Sequence, residues 1–142
     1  MDKAVLFALL SALIWGSAPV LFKLGLKGEL SPLAGVFVHN AAAALFSAFL
    51  LFLYKENPFS YSVRELLAVA LGGVLSGVAG LLAYYKAVKE GEVSVVAPLA
   101  STSPLFSFFL SVVLLGESFS GLKLLGTVLI VLGAVLLSVG RQ

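Results

Sequence analysis

The amino-acid sequence predicts an all-α membrane protein of five transmembrane helices, with its N- and C-termini on opposite sides of the bilayer. Three observations carry this. The chain has 142 residues, 61% of them hydrophobic and only 11% charged, against roughly 25% charged in a typical soluble domain. The charges are placed so that five long intervals carry none: Ala4 to Phe22 (19 residues), Leu30 to Tyr54 (25), Leu66 to Tyr85 (20), Val93 to Gly116 (24) and Leu124 to Gly140 (17). About 20 apolar residues are enough for a helix to cross. Finally, five is an odd number of crossings, which puts the termini on opposite faces. The length fits one transmembrane domain, with helices over about 4–26, 31–54, 63–87, 93–116 and 120–140. A signal peptide is the competing reading of the first interval, since Lys3 precedes an apolar run. That run, however, stays apolar past any plausible cleavage point.

The first helix places Ser11, Trp15, Pro19 and Lys23 four residues apart, along one stripe that faces protein or water. Lys23, near the end, reads either as a cation snorkelling to the headgroups or as one facing a substrate. The second helix opens with Ser31 as N-cap and Pro32 in the first turn, where its missing N–H does no harm. His39, the only histidine, falls about 12 Å along that helix at 1.5 Å per residue, close to mid-depth. Asn40 follows it. An ionisable group at this depth is a candidate functional group, and histidine gains and loses a proton most easily near neutral pH. The alternative is a neutral imidazole donating to a carbonyl of a neighbouring helix.

Asn57-Pro58 marks the turn into the third helix, which Ser62 and Glu65 start as a capping box. Gly73, Gly77, Gly80 and Tyr84, spaced four, three and four, form one smooth face that suits close helix packing. Tyr84 and Tyr85 stand near the membrane interface, where aromatic residues are common; lining a pocket is the other role open to them. Lys86, Lys89, Glu90 and Glu92 make a solvated turn.

The fourth interval, Val93 to Gly116, is apolar enough to span yet carries Ser94, Pro98, Ser101, Thr102, Ser103, Pro104, Ser107 and Ser111. Pro98 and Pro104 have no N–H to return to the carbonyls of Ser94 and Ala100. Broken backbone is tolerated in a bilayer only where protein or water covers it, so this segment is expected to line a polar pathway or the centre of a bundle. Ser120 caps the fifth helix, in which Gly126, Gly133 and Gly140 recur every seven residues and stay on one side as a packing face.

Charge fixes neither orientation nor a nucleic-acid role. The net charge of +2 and pI near 9.0 fit a membrane protein with basic loops, and no nucleic-acid partner is expected. Lys and Arg normally collect on the cytoplasmic side. One side carries Lys3, Lys55, Arg64 and Lys123; the other carries Lys23, Lys27, Lys86, Lys89 and Arg141. Four against five lets the chain insert both ways round, and two oppositely oriented copies make an inverted-repeat dimer. A weak but sufficient bias toward one orientation is the alternative. With no cysteine there is no disulfide or thiolate chemistry. No Ser/His/Asp set, metal-ligand cluster or phosphate loop is visible, so neither an enzyme nor a cofactor nor a bound metal is expected.

The run APLASTSPLFSFFLSVVLLGE, from Ala97, followed by GLKLLGTVLIVLG, from Gly121, resembles the fourth and fifth helices of an EamA repeat of the drug/metabolite transporter superfamily. WGSAPVLFKLGL adds Trp15, Gly16 and Lys23, which match that pattern in the first helix. Most members of the family carry two inverted repeats; this chain has one. The stretch Gly126 to Gly133 also resembles the dimer-forming last helix of the small multidrug resistance proteins. Two departures matter. His39 stands where the family commonly has arginine, and no carboxylate lies between Ala4 and Phe22, where the small multidrug transporters keep a glutamate. Glu117 matches the glutamate that ends the family's fourth helix.

The resulting expectation is a secondary transporter of a small organic solute, metabolite or drug, in the inner or plasma membrane of a prokaryote. It would work by alternating access as a dual-topology, antiparallel homodimer, its partners being the lipid bilayer, a second copy and the solute. Trp15, Pro19, His39, Asn40, Ser76, Tyr84, Pro98, Ser101 and Thr102 would line the cavity, and His39 is the proton-coupling candidate. Gly73, Gly77, Gly80, Gly126 and Gly133 would pack helices or copies together. A flippase for an amphiphile or lipid-linked sugar, and a non-transporting subunit of a hetero-complex, are the rival readings.

Overall fold

The computed structural model describes residues 2–140; Arg141, counted above among the cations, lies outside them. Five helices long and apolar enough to cross a membrane follow one another: α1 (Lys3–Leu26), α2 (Pro32–Tyr54), α3 (Val63–Glu90), α4 (Val93–Leu115) and α5 (Gly121–Val139). The described residues contain no strand. Every carboxylate of the sequence stands at a helix end or in a turn, which is why the uncharged intervals and the helices coincide. The chain is an integral membrane protein.

The helix starts are set by local chemistry. Ser31 accepts from the Ala34 N–H at 3.1 Å, and Ser120 from that of Lys123 at 3.4 Å. At α3 the Ser62 hydroxyl and the Glu65 carboxylate satisfy each other's backbone N–H groups, as a capping box does. Asn57 caps the short turn Pro58–Ser60 between α2 and α3.

Two helices are irregular. In α4, Pro104 cannot donate to Ala100, and the helix divides into Val93–Ala100 and Ser103–Leu115 around a turn at Ser101 and Thr102. It ends on Gly116 at φ 68°, a left-handed position that suits glycine. In α3, the stretch Leu75–Gly80 is π-helical, between the regular segments Val63–Val74 and Leu81–Glu90. Its i→i+5 hydrogen bonds take up one residue more than an α turn.

The chain falls into two compact units. Leu21–Glu90 holds the last turns of α1 with α2 and α3; in it α2 runs along Leu81–Glu90 and touches the π stretch. Its buried apolar residues are Leu26, Val36, Tyr85 and Val88. The other unit, Met1–Val20 with Gly91–Gln142, holds the first part of α1 with α4 and α5; α5 packs against both halves of α4. There Val95, Phe108 and Ala134 are buried.

Candidate functional site

His39, Tyr85 and Phe22, all inside Leu21–Glu90, make a polar and aromatic cluster. His39 Nδ1 lies 3.1 Å from the Tyr85 hydroxyl, and the two rings meet edge to face at 6.2 Å. Phe22 flanks both, 5.4 Å from the His39 ring and 4.8 Å from that of Tyr85. Tyr85 comes this close because position 35 is glycine. A methyl group there would stand 2.9 Å from Cε2 and 3.0 Å from Cδ2 of the tyrosine ring. Beside the cluster lies a pocket of about 210 Å³, walled mainly by hydrocarbon from Leu21, Phe22, Leu26, Leu30, Val38 and Ala42, with His39 and Tyr85 as its polar members. Its chemistry is that of an apolar container with one protonatable nitrogen base.

Next to His39 on α2, Asn40 holds the π stretch. Its Nδ2 donates to the carbonyl of Gly77 at 2.7 Å and to that of Val36, on its own helix, at 3.1 Å. Gly77 allows the approach, since a Cβ there would sit 3.0 Å from Asn40 Oδ1. Ser76, exposed, turns its hydroxyl to the Gly72 carbonyl at 2.8 Å. The amide of Asn40 thus serves a carbonyl where the α ladder is interrupted, which a bilayer interior requires of some group.

The turn end of this unit is closed by two lysines, one reaching from α1 to the end of α3 and the other from α3 to the α1–α2 turn. Lys23 Nζ donates to the carbonyls of Val88 at 2.7 Å and Lys89 at 3.2 Å, at the end of α3. Lys89 Nζ donates to the carbonyls of Leu30 at 2.8 Å and Gly28 at 3.4 Å, in the α1–α2 turn. A cation over the last carbonyls of a helix also complements its dipole. Lys23 therefore binds protein carbonyls, which sequence spacing alone does not reveal.

Of the residues singled out from sequence, His39, Asn40, Ser76 and Tyr84 belong to this unit. Tyr84, half-buried, meets Phe22 edge to face at 6.5 Å, while its neighbour Tyr85 bonds His39. Sequence spacing favours Tyr84 for the cavity and leaves a pocket role for Tyr85 only as an alternative, and the π stretch is the reason the order is reversed: by regular α spacing Tyr84 shares the face of Gly77. Trp15, Pro19, Pro98, Ser101 and Thr102 belong to the other unit. There Trp15 is 75% exposed, Pro19 is buried, Pro98 and Thr102 are half-buried and Ser101 is exposed. The Ser101 hydroxyl donates to Ala97 O at 2.9 Å and that of Thr102 to Leu99 O at 2.8 Å. Among the glycines, Gly73, Gly126 and Gly133 have nothing within 4 Å of a would-be Cβ, and Gly80 meets only the Leu75 carbonyl, at 3.3 Å.

Comparison with known proteins gives three findings. The profile of the EamA-like transporter family matches residues 2–139. An uncharacterized protein of Methanocaldococcus jannaschii is 32% identical over 141 residues, 99% of this chain and 100% of that protein. A protein of Sinorhizobium sp., described as an uncharacterized transporter in the cobO 3' region, is 37% identical over 84 residues, 59% of either chain. No solved structure matches significantly.

Proposed function

The chain belongs to the EamA-like transporter family, and we propose that it carries a small organic solute across a prokaryotic cell membrane as a secondary transporter. The observation that carries this reading is His39: an ionisable side chain well inside an apolar span, beside a pocket of about 210 Å³ and in contact with Tyr85. Intramembrane ionisable groups are costly and mark solute or proton pathways. The cycle is the rocking of two oppositely inserted copies about a shared midplane site. His39, Asn40, Ser76 and Tyr84, all within Leu21–Glu90, contribute its walls.

One fact supports pairing with a second copy: among the described residues nothing lies within 4 Å of a would-be Cβ at Gly126 or Gly133 of α5, as on a face kept for another helix. The solute is found by screening the purified protein for thermal shifts against metabolites and cationic drugs. In proteoliposomes a pH gradient then drives uptake of that compound by the wild type and not by His39→Ala; equal dependence on the gradient in both removes His39 from the mechanism. A flippase for an amphiphile is the second reading, favoured by the hydrocarbon walls of the pocket. Stabilisation by lipid extracts, with none by water-soluble metabolites, would select it.

A further inference from the structure

Helix α3 contains a device that the pocket alone does not use. In a regular α-helix each residue turns by about 100°, so a step of seven returns to nearly the same face. Gly77 faces Asn40, whose Nδ2 bonds its carbonyl at 2.7 Å; seven residues on, a regular helix would present Tyr84 to α2. The π stretch Leu75–Gly80 takes up one extra residue, and Tyr85 stands there instead, bonded to His39. The residue displaced by this shift is also a tyrosine. Either one can therefore offer the same hydroxyl to the same imidazole.

We propose that Leu75–Gly80 is a register switch: when it relaxes from π to α, Leu81–Glu90 turns by about 100° and slides by about 1.5 Å, and Tyr84 replaces Tyr85 as the hydrogen-bond partner of His39. Three bonds hold the register seen here, one from Asn40 to the Gly77 carbonyl and two from Lys89 to the carbonyls of Gly28 and Leu30. After the turn Val88 stands where Lys89 stood, and that clasp opens. The Lys23 clasp survives, because its acceptors are backbone carbonyls, which α3 offers in either register. The end of α3 is thus released from the α1–α2 turn without losing its tie to α1. The switch deepens the transport reading and rests on it for its purpose, since alternating access needs an element with two discrete arrangements.

His39 is the only histidine, so in full-length protein in nanodiscs, labelled with ¹⁵N-histidine, the imidazole signals report that ring alone. Tyr85→Phe and Tyr84→Phe should each shift them, because each tyrosine takes its turn at His39. Deleting Val78 removes the extra residue, keeps Tyr85 in place and should abolish the effect of Tyr84→Phe. In Asn40→Ala, which frees the Gly77 carbonyl, Tyr84→Phe should become the larger perturbation. The switch is refuted if Tyr84→Phe leaves the imidazole signals unchanged in both the wild-type and Asn40→Ala backgrounds, or if its effect persists undiminished after the Val78 deletion. Solute flux plays no part in these spectra, so the register switch and the transport reading stand or fall separately.

Discussion

Gly35→Ala tests the approach of Tyr85 to α2, on which the His39 contact depends. The added methyl would stand 2.9 Å from the ring edge of Tyr85, closer than carbon atoms tolerate. The ring is held on two sides: it is 4% exposed, with Phe22 4.8 Å away and its hydroxyl on His39. Overfilling a packed site costs about 1–3 kcal/mol, while exchanging glycine for alanine inside a helix returns about 1 kcal/mol. The net expectation is a loss of up to about 2 kcal/mol. Gly73→Ala is the control, because nothing lies within 4 Å of its Cβ position; there only the gain of about 1 kcal/mol remains. The two variants should therefore differ by about 1–3 kcal/mol, read as separated midpoints in detergent-titrated unfolding, with the imidazole signal of His39 displaced in Gly35→Ala alone. Coincident midpoints and an undisturbed imidazole would mean that Tyr85 does not pack on Gly35.

Lys23→Met keeps the length of the side chain but removes the bonds to the Val88 and Lys89 carbonyls; the same titration should show a loss of about 1.5–3 kcal/mol, the worth of charged hydrogen bonds, and an unchanged midpoint would mean the clasp is idle. Gly126→Leu fills space that is open within the chain, so its cost to the protomer should stay within about 0.5 kcal/mol while the mass by light scattering falls from two copies to one; a persisting dimer would place the interface elsewhere. The chain has no cysteine, so Asp2→Cys and Gln142→Cys can each be labelled alone in intact cells. Dual insertion predicts that each is reached from both sides, and labelling from a single side refutes it.

The spans were legible because the information that fixes them is local. Charged side chains avoid hydrocarbon, so the seven acidic residues of the sequence all fall at helix ends or turns, and the caps at Ser31, Ser62 and Ser120 depend on residues three positions away. The break in α4 was legible for a similar reason, since Pro104 removes a donor wherever the helix goes. The π stretch is different. Val74 to Gly80 contains no proline, and its glycines also suit a regular packing face, so spacing by 100° per residue puts Tyr84 where Tyr85 stands. An unseen extra residue moves every downstream side chain by one place, which is why the partner of His39 was missed while His39 itself was not.

Partners of polar groups were the least legible feature, and in a membrane they carry the most meaning. Apolar exposure says little here, because lipid is as apolar as leucine and does not discriminate one face from another. A polar group must be satisfied by something, so its partner locates function. Lys23 and Lys89 find theirs in protein carbonyls. Ser101 and Thr102 find theirs one turn back along their own helix, and a hydroxyl satisfied in that way needs no water beside it. Mid-span hydroxyls on α4 therefore do not by themselves mark a hydrated path. His39 is the exception that remains: its Nδ1 meets Tyr85, and an imidazole has a second nitrogen to offer. A pathway through this protein is best sought where that second nitrogen points.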